Sequence, residues 1–279
     1  MTDTTSPNAL AAQATTTTAS TMERLAVGNE EIVVQSAGTG TPVGYLHGMI
    51  GTPPGAPILA AAHAASLAVT APCLPGFTGS SPSAITRNIH DWVFHLSAII
   101  DATGLAGGPL VASSVGAMVA LEVAAIRPDA FSQLILLSPL GLWDDEDPVV
   151  DAYATTLSAQ RRLLTKNPAA TGVFFDDPEG LEGDELVEYG VARYQTRTSA
   201  ASLVWPIPDH NLTDRIHRVT TPVTLLWGDS DALAPISYLD RWAAALPNVT
   251  ATHTVADAGH LIDWDQPAAV AEIVAGSLL

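Results

Sequence analysis

Two adjacent serines, Ser113 and Ser114, follow the short apolar run Pro109 to Ala112 and open a helix-like stretch from Val115 to about Ile126. A hydroxyl at a sharp strand-to-helix turn is held out at the carboxyl end of a sheet, where it can act as a nucleophile. Such a turn brings backbone close to the positions two residues either side, so both must be small. Around Ser114 they are Ala112 and Gly116, whereas around Ser113 they are the branched Val111 and Val115. The spacing selects Ser114; the plain alternative is a serine pair capping a helix. A helix start also offers free N–H groups and the positive end of a dipole, so the Val115 amide can hold an oxyanion. A second donor is expected after an early strand, in Tyr45-Leu46-His47-Gly48-Met49, where the Met49 amide is suitably placed.

A serine hydroxyl needs a base to take its proton, and the chain holds eight histidines. His63, His90 and His95 lie in helical patterns, and His253 lies within a strand pattern. His47 reads as a loop-orienting residue bordering the substrate rather than as a base. His260 follows Asp257-Ala258-Gly259 just after a strand, where a loop can carry the ring across the sheet edge. The imidazole in turn needs a carboxylate to fix its tautomer. Trp227-Gly228-Asp229-Ser230-Asp231 offers two, of which Asp231 lies further into the loop; Asp144, soon after another strand, is a third option. The order Ser114, Asp231, His260 is one of the chain orders in which such a triad occurs.

These loops need strands to carry them. Short strands are expected near 24–27, 31–36, 42–46 and 67–72, with a helix over 56–66 between the last two. Ile89, Trp92, Val93, Leu96, Ile99 and Ile100 recur at spacings of three and four, which predicts an amphipathic helix over 88–103. QLILLSP (133–139) and PVTLLWG (222–228) have almost no polar alternation, as parallel strands buried on both faces require. TATHTV (250–255) is a weaker strand, and a last helix starts near Gln266-Pro267. Strands alternating with helices predict an α/β fold, a doubly wound and mostly parallel sheet with antiparallel strands at its beginning. Helical patterns over 149–166 and 182–196, with no core strand between, mark residues 140–215 as an inserted helical lid. The core is then 23–139 and 216–279, and residues 1–22, rich in Thr, Ala and Ser, read as a flexible tail.

With 47% hydrophobic residues the chain can build a large core, and its net charge of −18 disfavours nucleic acid and anionic membrane surfaces as partners. A lone cysteine, Cys73, excludes an intrachain disulfide and fits a reducing compartment such as the cytoplasm. The amino-terminal stretch lacks a basic signal-peptide region, and no run reaches the roughly 18 apolar residues of a membrane span. Neither a metal cluster nor a phosphate-binding glycine loop is visible, so no cofactor is expected. A small-molecule substrate is the expected partner, taken up by a monomer or a homo-oligomer.

Five segments together resemble the α/β-hydrolase superfamily: HGMIGTPPG its oxyanion loop, APCLPGFTGSSP the stretch following the next strand, ASSVGAMVALEVAAIRP its nucleophile elbow, PVTLLWGDSDALAP its acid loop and VADAGHLIDWDQP its histidine loop. The resemblance covers about residues 24–140 and 210–279. It implies that Asp231, three residues after the glycine of the Trp-Gly pair, is the acid. Ala112 replaces the usual first elbow glycine, Ser113 stands where His or Asn is frequent, Cys73 where Asp is, and Asp263-Trp264 near a customary Glu-x-Pro. The expectation is a serine hydrolase that cleaves a small, largely apolar ester, lactone or C–C bond through an acyl intermediate. In the lid, Trp143, Phe174 and Trp205 are expected to border the substrate. A non-hydrolytic enzyme with the same site (cofactor-free dioxygenase, lyase or perhydrolase) or a ligand-binding receptor on the fold are the alternatives.

Overall fold

The computed structural model describes residues 20–82 and 86–278. Eight strands form one sheet: β1 (Thr21–Val27), β2 (Glu30–Ala37), β3 (Thr41–Leu46), β4 (Leu67–Pro72), β5 (Pro109–Ser113), β6 (Gln133–Leu137), β7 (Val223–Gly228) and β8 (Val249–Val255). Their order across the sheet is β1-β2-β4-β3-β5-β6-β7-β8. The first two ladders, β1 with β2 and β2 with β4, are antiparallel, and every later pair is parallel. The predicted α/β architecture with antiparallel strands at its start is therefore the observed one. One boundary moves: β1 begins at Thr21, inside the stretch read as a tail, because Thr21 to Val27 pairs with Glu30 to Ser36 across the Gly28-Asn29 turn. Residues 1–19 of that expected tail lie outside the described residues.

All five residues of β6 and all six of β7 are buried, which is why their sequences show no alternation. Helices α1 (Pro57–Ala64), α2 (Ile89–Ala102), α3 (Ser114–Ile126), α7 (Ser237–Ala245) and α9 (Pro267–Ser277) alternate with the strands. The Asn88 side chain accepts from the His90 and Asp91 amides while Asp91 accepts from the Asn88 amide, so a capping box starts α2 one residue inside the predicted range. The carboxyl ends of the parallel strands lie at one edge of the sheet. There β3 has β4 on one side and β5 on the other, and such a reversal of strand order opens a crevice between the loops.

Between β6 and β7 the chain leaves the sheet for α4 (Leu157–Leu164), α5 (Gly172–Phe175) and the 22-residue α6 (Gly183–Val204). Residues 149–156 are not helical as their periodicity suggests. The Val150 amide donates to the Leu233 carbonyl, and the Asp151 carboxylate turns the chain by accepting from the Tyr153 and Ala154 amides. Helix α6 instead runs eight residues beyond its predicted end. The insertion is tied to the core at several points. Thr78 N–H donates to the Thr196 hydroxyl, Leu261 N–H donates to the Leu164 carbonyl, and Arg215 forms a fork with the buried Glu122 of α3. No helix among the described residues is long and apolar enough to cross a membrane.

Candidate active site

Ser114 sits between β5 and α3 with φ +53°, a left-handed backbone that a non-glycine residue adopts only where its surroundings enforce it. The enforcing contact is visible at Gly116, where a Cβ would lie 2.4 Å from the His47 carbonyl oxygen. A larger residue there would push the oxyanion loop off the elbow. From Ser114 the hydroxyl reaches His260 Nε2 at 2.7 Å, and His260 Nδ1 lies 2.9 Å from Asp231 Oδ2. The other Asp231 oxygen accepts from the Leu233 and Ala234 amides, 2.9 Å each, so the carboxylate cannot swing away. An ionised carboxylate only accepts; Nδ1 must therefore carry the proton, leaving the Nε2 lone pair for the serine hydroxyl. The Ser114 and His260 side chains and the Asp231 carboxylate are all withdrawn from solvent.

The other carboxylates considered lie elsewhere. Asp229 is exposed and accepts from its neighbour Ser230, whose hydroxyl, with nearby amides, lowers its pKa. Asp144 pairs with Arg241. Ser113, the other serine of the elbow, turns its hydroxyl to Asp263 at 2.9 Å and not to the imidazole. Gly48 lies against both serines, since a Cβ on it would come within 3.1 Å of Ser114 Cβ and 3.2 Å of Ser113 Oγ. The loop bearing Met49 therefore stands directly beside Ser114. Among the described residues the Met49 amide donates no hydrogen bond, and the Val115 amide belongs to the first turn of α3, where intrahelical acceptors are lacking.

A sequence profile of the alpha/beta hydrolase family matches residues 45–273, which hold all three of these side chains. The chain belongs to this family. Among its curated relatives, Lipase LipV of Mycobacterium tuberculosis is 30% identical over 77% of this chain and 85% of its own. The 2-hydroxymuconate semialdehyde hydrolase of Pseudomonas putida is 26% identical over 82% of this chain and 83% of its own. Among solved structures, a putative lipase from Acinetobacter baumannii superposes with a TM-score of 0.70 at 16% identity, covering 92% of this chain and 90% of that one. That likeness is one of fold.

Within this alpha/beta hydrolase, His47 does not border substrate as expected. It is fully buried, accepts from the Leu74 amide through Nε2, and lies 2.9 Å from the Gly48 carbonyl through Nδ1. Both ring nitrogens are thus engaged in shaping the loop that carries Met49. Burial lowers its pKa to about 4, so the ring is neutral. The unfolded chain takes up a proton near pH 6.5 and the folded one only near 4, so stability present above 6.5 is lost as pH falls through that window. In urea unfolding, wild type should lose about 3 kcal/mol more between pH 7 and pH 4 than His47→Gln, which does not titrate.

A largely apolar cavity of about 40 Å³ lies between Met49, Leu140, Trp143, Val149, Val204 and Leu233, with Asp151 also on its wall. It joins the oxyanion loop, the end of β6, the acid loop and the insertion. Of the aromatic residues expected to border substrate, Trp143 lines it. Phe174 is buried elsewhere in the insertion, edge-to-face on Phe175 with ring centroids 5.1 Å apart. Trp205 is 63% exposed, while its neighbours Val204 and Pro206 line the cavity in its place.

Two carboxylates after His260 hold neighbouring loops together, a part the sequence reading did not give them. Asp265 accepts from the Gly259, Lys166 and Asn167 amides, joining the histidine loop to the insertion. It, and not Asp263, stands in the acidic-x-Pro position before Pro267. Asp263 lies in the short helix α8 (Ile262–Asp265) and is wholly buried. The available signal was two acids among the apolar residues of LIDWD (261–265), since buried carboxylates require donors.

Proposed function

We propose that this alpha/beta hydrolase is a serine hydrolase that cleaves small, largely apolar carbonyl compounds, short-chain carboxylic esters first among them. The observation that carries the reading is the relay from the Ser114 hydroxyl through His260 to the Asp231 carboxylate, closed off from water beside an apolar cavity. Ser114 Oγ bonds to the carbonyl carbon as its proton passes to His260 Nε2, and Asp231 stabilises the imidazolium. The Met49 and Val115 amides receive the oxyanion, an effect worth roughly 3–4 kcal/mol per donor. Collapse breaks the bond to the alcohol oxygen, which takes the proton back from His260. Water then repeats the sequence on the acyl-enzyme, releasing the acid and restoring the serine. The insertion acts as the lid over this chemistry. A lipase and a 2-hydroxymuconate semialdehyde hydrolase among the relatives agree with hydrolysis of a carbonyl compound.

The cavity, of about 40 Å³, is small, which suits an acyl or alkyl group of a few carbons. Activity on p-nitrophenyl esters should peak at acetate to butyrate and fall by about tenfold for each further pair of methylenes. Trp143→Ala, which removes the largest side chain of the lining, should move the optimum to longer acyl chains. A flat profile up to decanoate in wild type would reject the small-substrate assignment. Absence of turnover on every ester, lactone and C–C substrate, together with no labelling by a fluorophosphonate, would reject the hydrolase reading.

A further inference from the structure

Beneath the catalytic loops lies a second polar cluster that the triad does not use. Asp263 Oδ1 accepts from the Ser113 hydroxyl at 2.9 Å, and Asp263 Oδ2 accepts from the Tyr45 hydroxyl at 2.5 Å. Each donor sits beside a working group. Tyr45 is on β3, two residues before His47 of the oxyanion loop, and Ser113 immediately precedes the nucleophile. Asp263 itself follows His260 by three residues. One carboxylate therefore joins the three loops that must agree on a single geometry: oxyanion donor, nucleophile and base.

We propose that Asp263 is a positioning residue, whose paired bonds to Tyr45 and Ser113 hold the His260 loop in register with Ser114 and the oxyanion loop. The proposal rests on the triad reading given above. Removing a carboxylate from water is costly, and an apolar side chain in this apolar surrounding would avoid that cost. What the carboxylate adds is direction: two short bonds to separate strands fix a point in space, which dispersion contacts do not. Burial raises its pKa while the Tyr45 and Ser113 hydroxyls oppose that rise. Burial also raises the Tyr45 pKa well above its ordinary value, so the phenol remains a donor. An error of about 1 Å between catalytic groups can lower turnover on the order of a hundredfold.

The test compares Asp263→Leu, Asp263→Asn and the double variant Tyr45→Phe with Ser113→Ala, using p-nitrophenyl acetate as substrate and melting curves to show that each is folded at the assay temperature. Asparagine can still accept from Ser113 and donate to the Tyr45 oxygen; leucine can do neither. The expected result is a kcat lowered about 10- to 100-fold in Asp263→Leu with KM within twofold, and a kcat within about threefold of wild type in Asp263→Asn. Wild-type kcat in folded Asp263→Leu would overturn the proposal. So would an Asp263→Asn loss equal to that of leucine, because the charge and not the bonds would then be responsible. If the leucine variant fails to fold, the double variant decides: a kcat lowered at least fivefold at constant KM supports the proposal, and a smaller loss overturns it. Failure of the triad reading is separately visible, as turnover retained by Ser114→Ala.

Discussion

Ser114→Ala is expected to lower kcat on p-nitrophenyl acetate by about 10⁵- to 10⁶-fold, leaving KM and the melting temperature near wild type. The size of the loss follows from how the site divides its labour. In the proposed mechanism His260 and Asp231 serve to remove one proton from one oxygen, so deleting that oxygen makes both idle. Only the oxyanion donors and the cavity remain to assist direct attack by water. The fold should tolerate the change, because alanine has the same Cβ and the left-handed turn at φ +53° is imposed by the packing of Gly116 on His47. Covalent labelling by a fluorophosphonate should disappear in the same variant. Ser113→Ala provides the contrast, since its hydroxyl is directed to Asp263. If the alanine at 114 kept more than about one part in a hundred of wild-type turnover while that at 113 did not, the nucleophile would be the other serine.

The three side chains that meet, Ser114, His260 and Asp231, could be picked out in the sequence because each is constrained locally. Ser114 is set by the small residues at 112 and 116, His260 by its place just after a strand, and Asp231 by its depth in the loop and the family pattern. Strands β6 and β7 were legible for a related reason, burial on both faces leaving an unbroken apolar run. The insertion was less so. Its 149–156 segment has a helical period, yet one amide bonded to Leu233 and one aspartate side chain hold it in turns. Trp143, Phe174 and Trp205 are alike in type, and only the packing of the insertion decides that one lines the cavity, one is internal and one is exposed. Asp263 was hidden by distance, because its partner Tyr45 lies 218 residues earlier in the chain. His47 was read as a loop-orienting residue that also borders substrate. Its ring is directed inward by the Leu74 amide, an acceptor–donor match that spacing alone does not reveal.

Asp231→Asn should lower kcat by about 10⁴-fold with little change in KM or in stability. The outcome turns on which way the new amide would face. Oδ1 of Asp231 already accepts from the Leu233 and Ala234 amides, and the asparagine carbonyl would keep those two bonds. Its NH₂ group must then point at His260 Nδ1, where a carboxylate oxygen now sits 2.9 Å away. Facing a donor, Nδ1 becomes the acceptor and the ring proton moves to Nε2, the atom 2.7 Å from the serine oxygen. The imidazole would then donate to Ser114 and could no longer remove its proton. Geometry would be kept and the tautomer reversed. Asp229→Asn should remain within about twofold of wild type, since that carboxylate is exposed and its bond is to Ser230. Should Asp231→Asn lose less than tenfold while Asp229→Asn loses more, the acid would belong to residue 229 and the acid loop would have to rearrange during turnover.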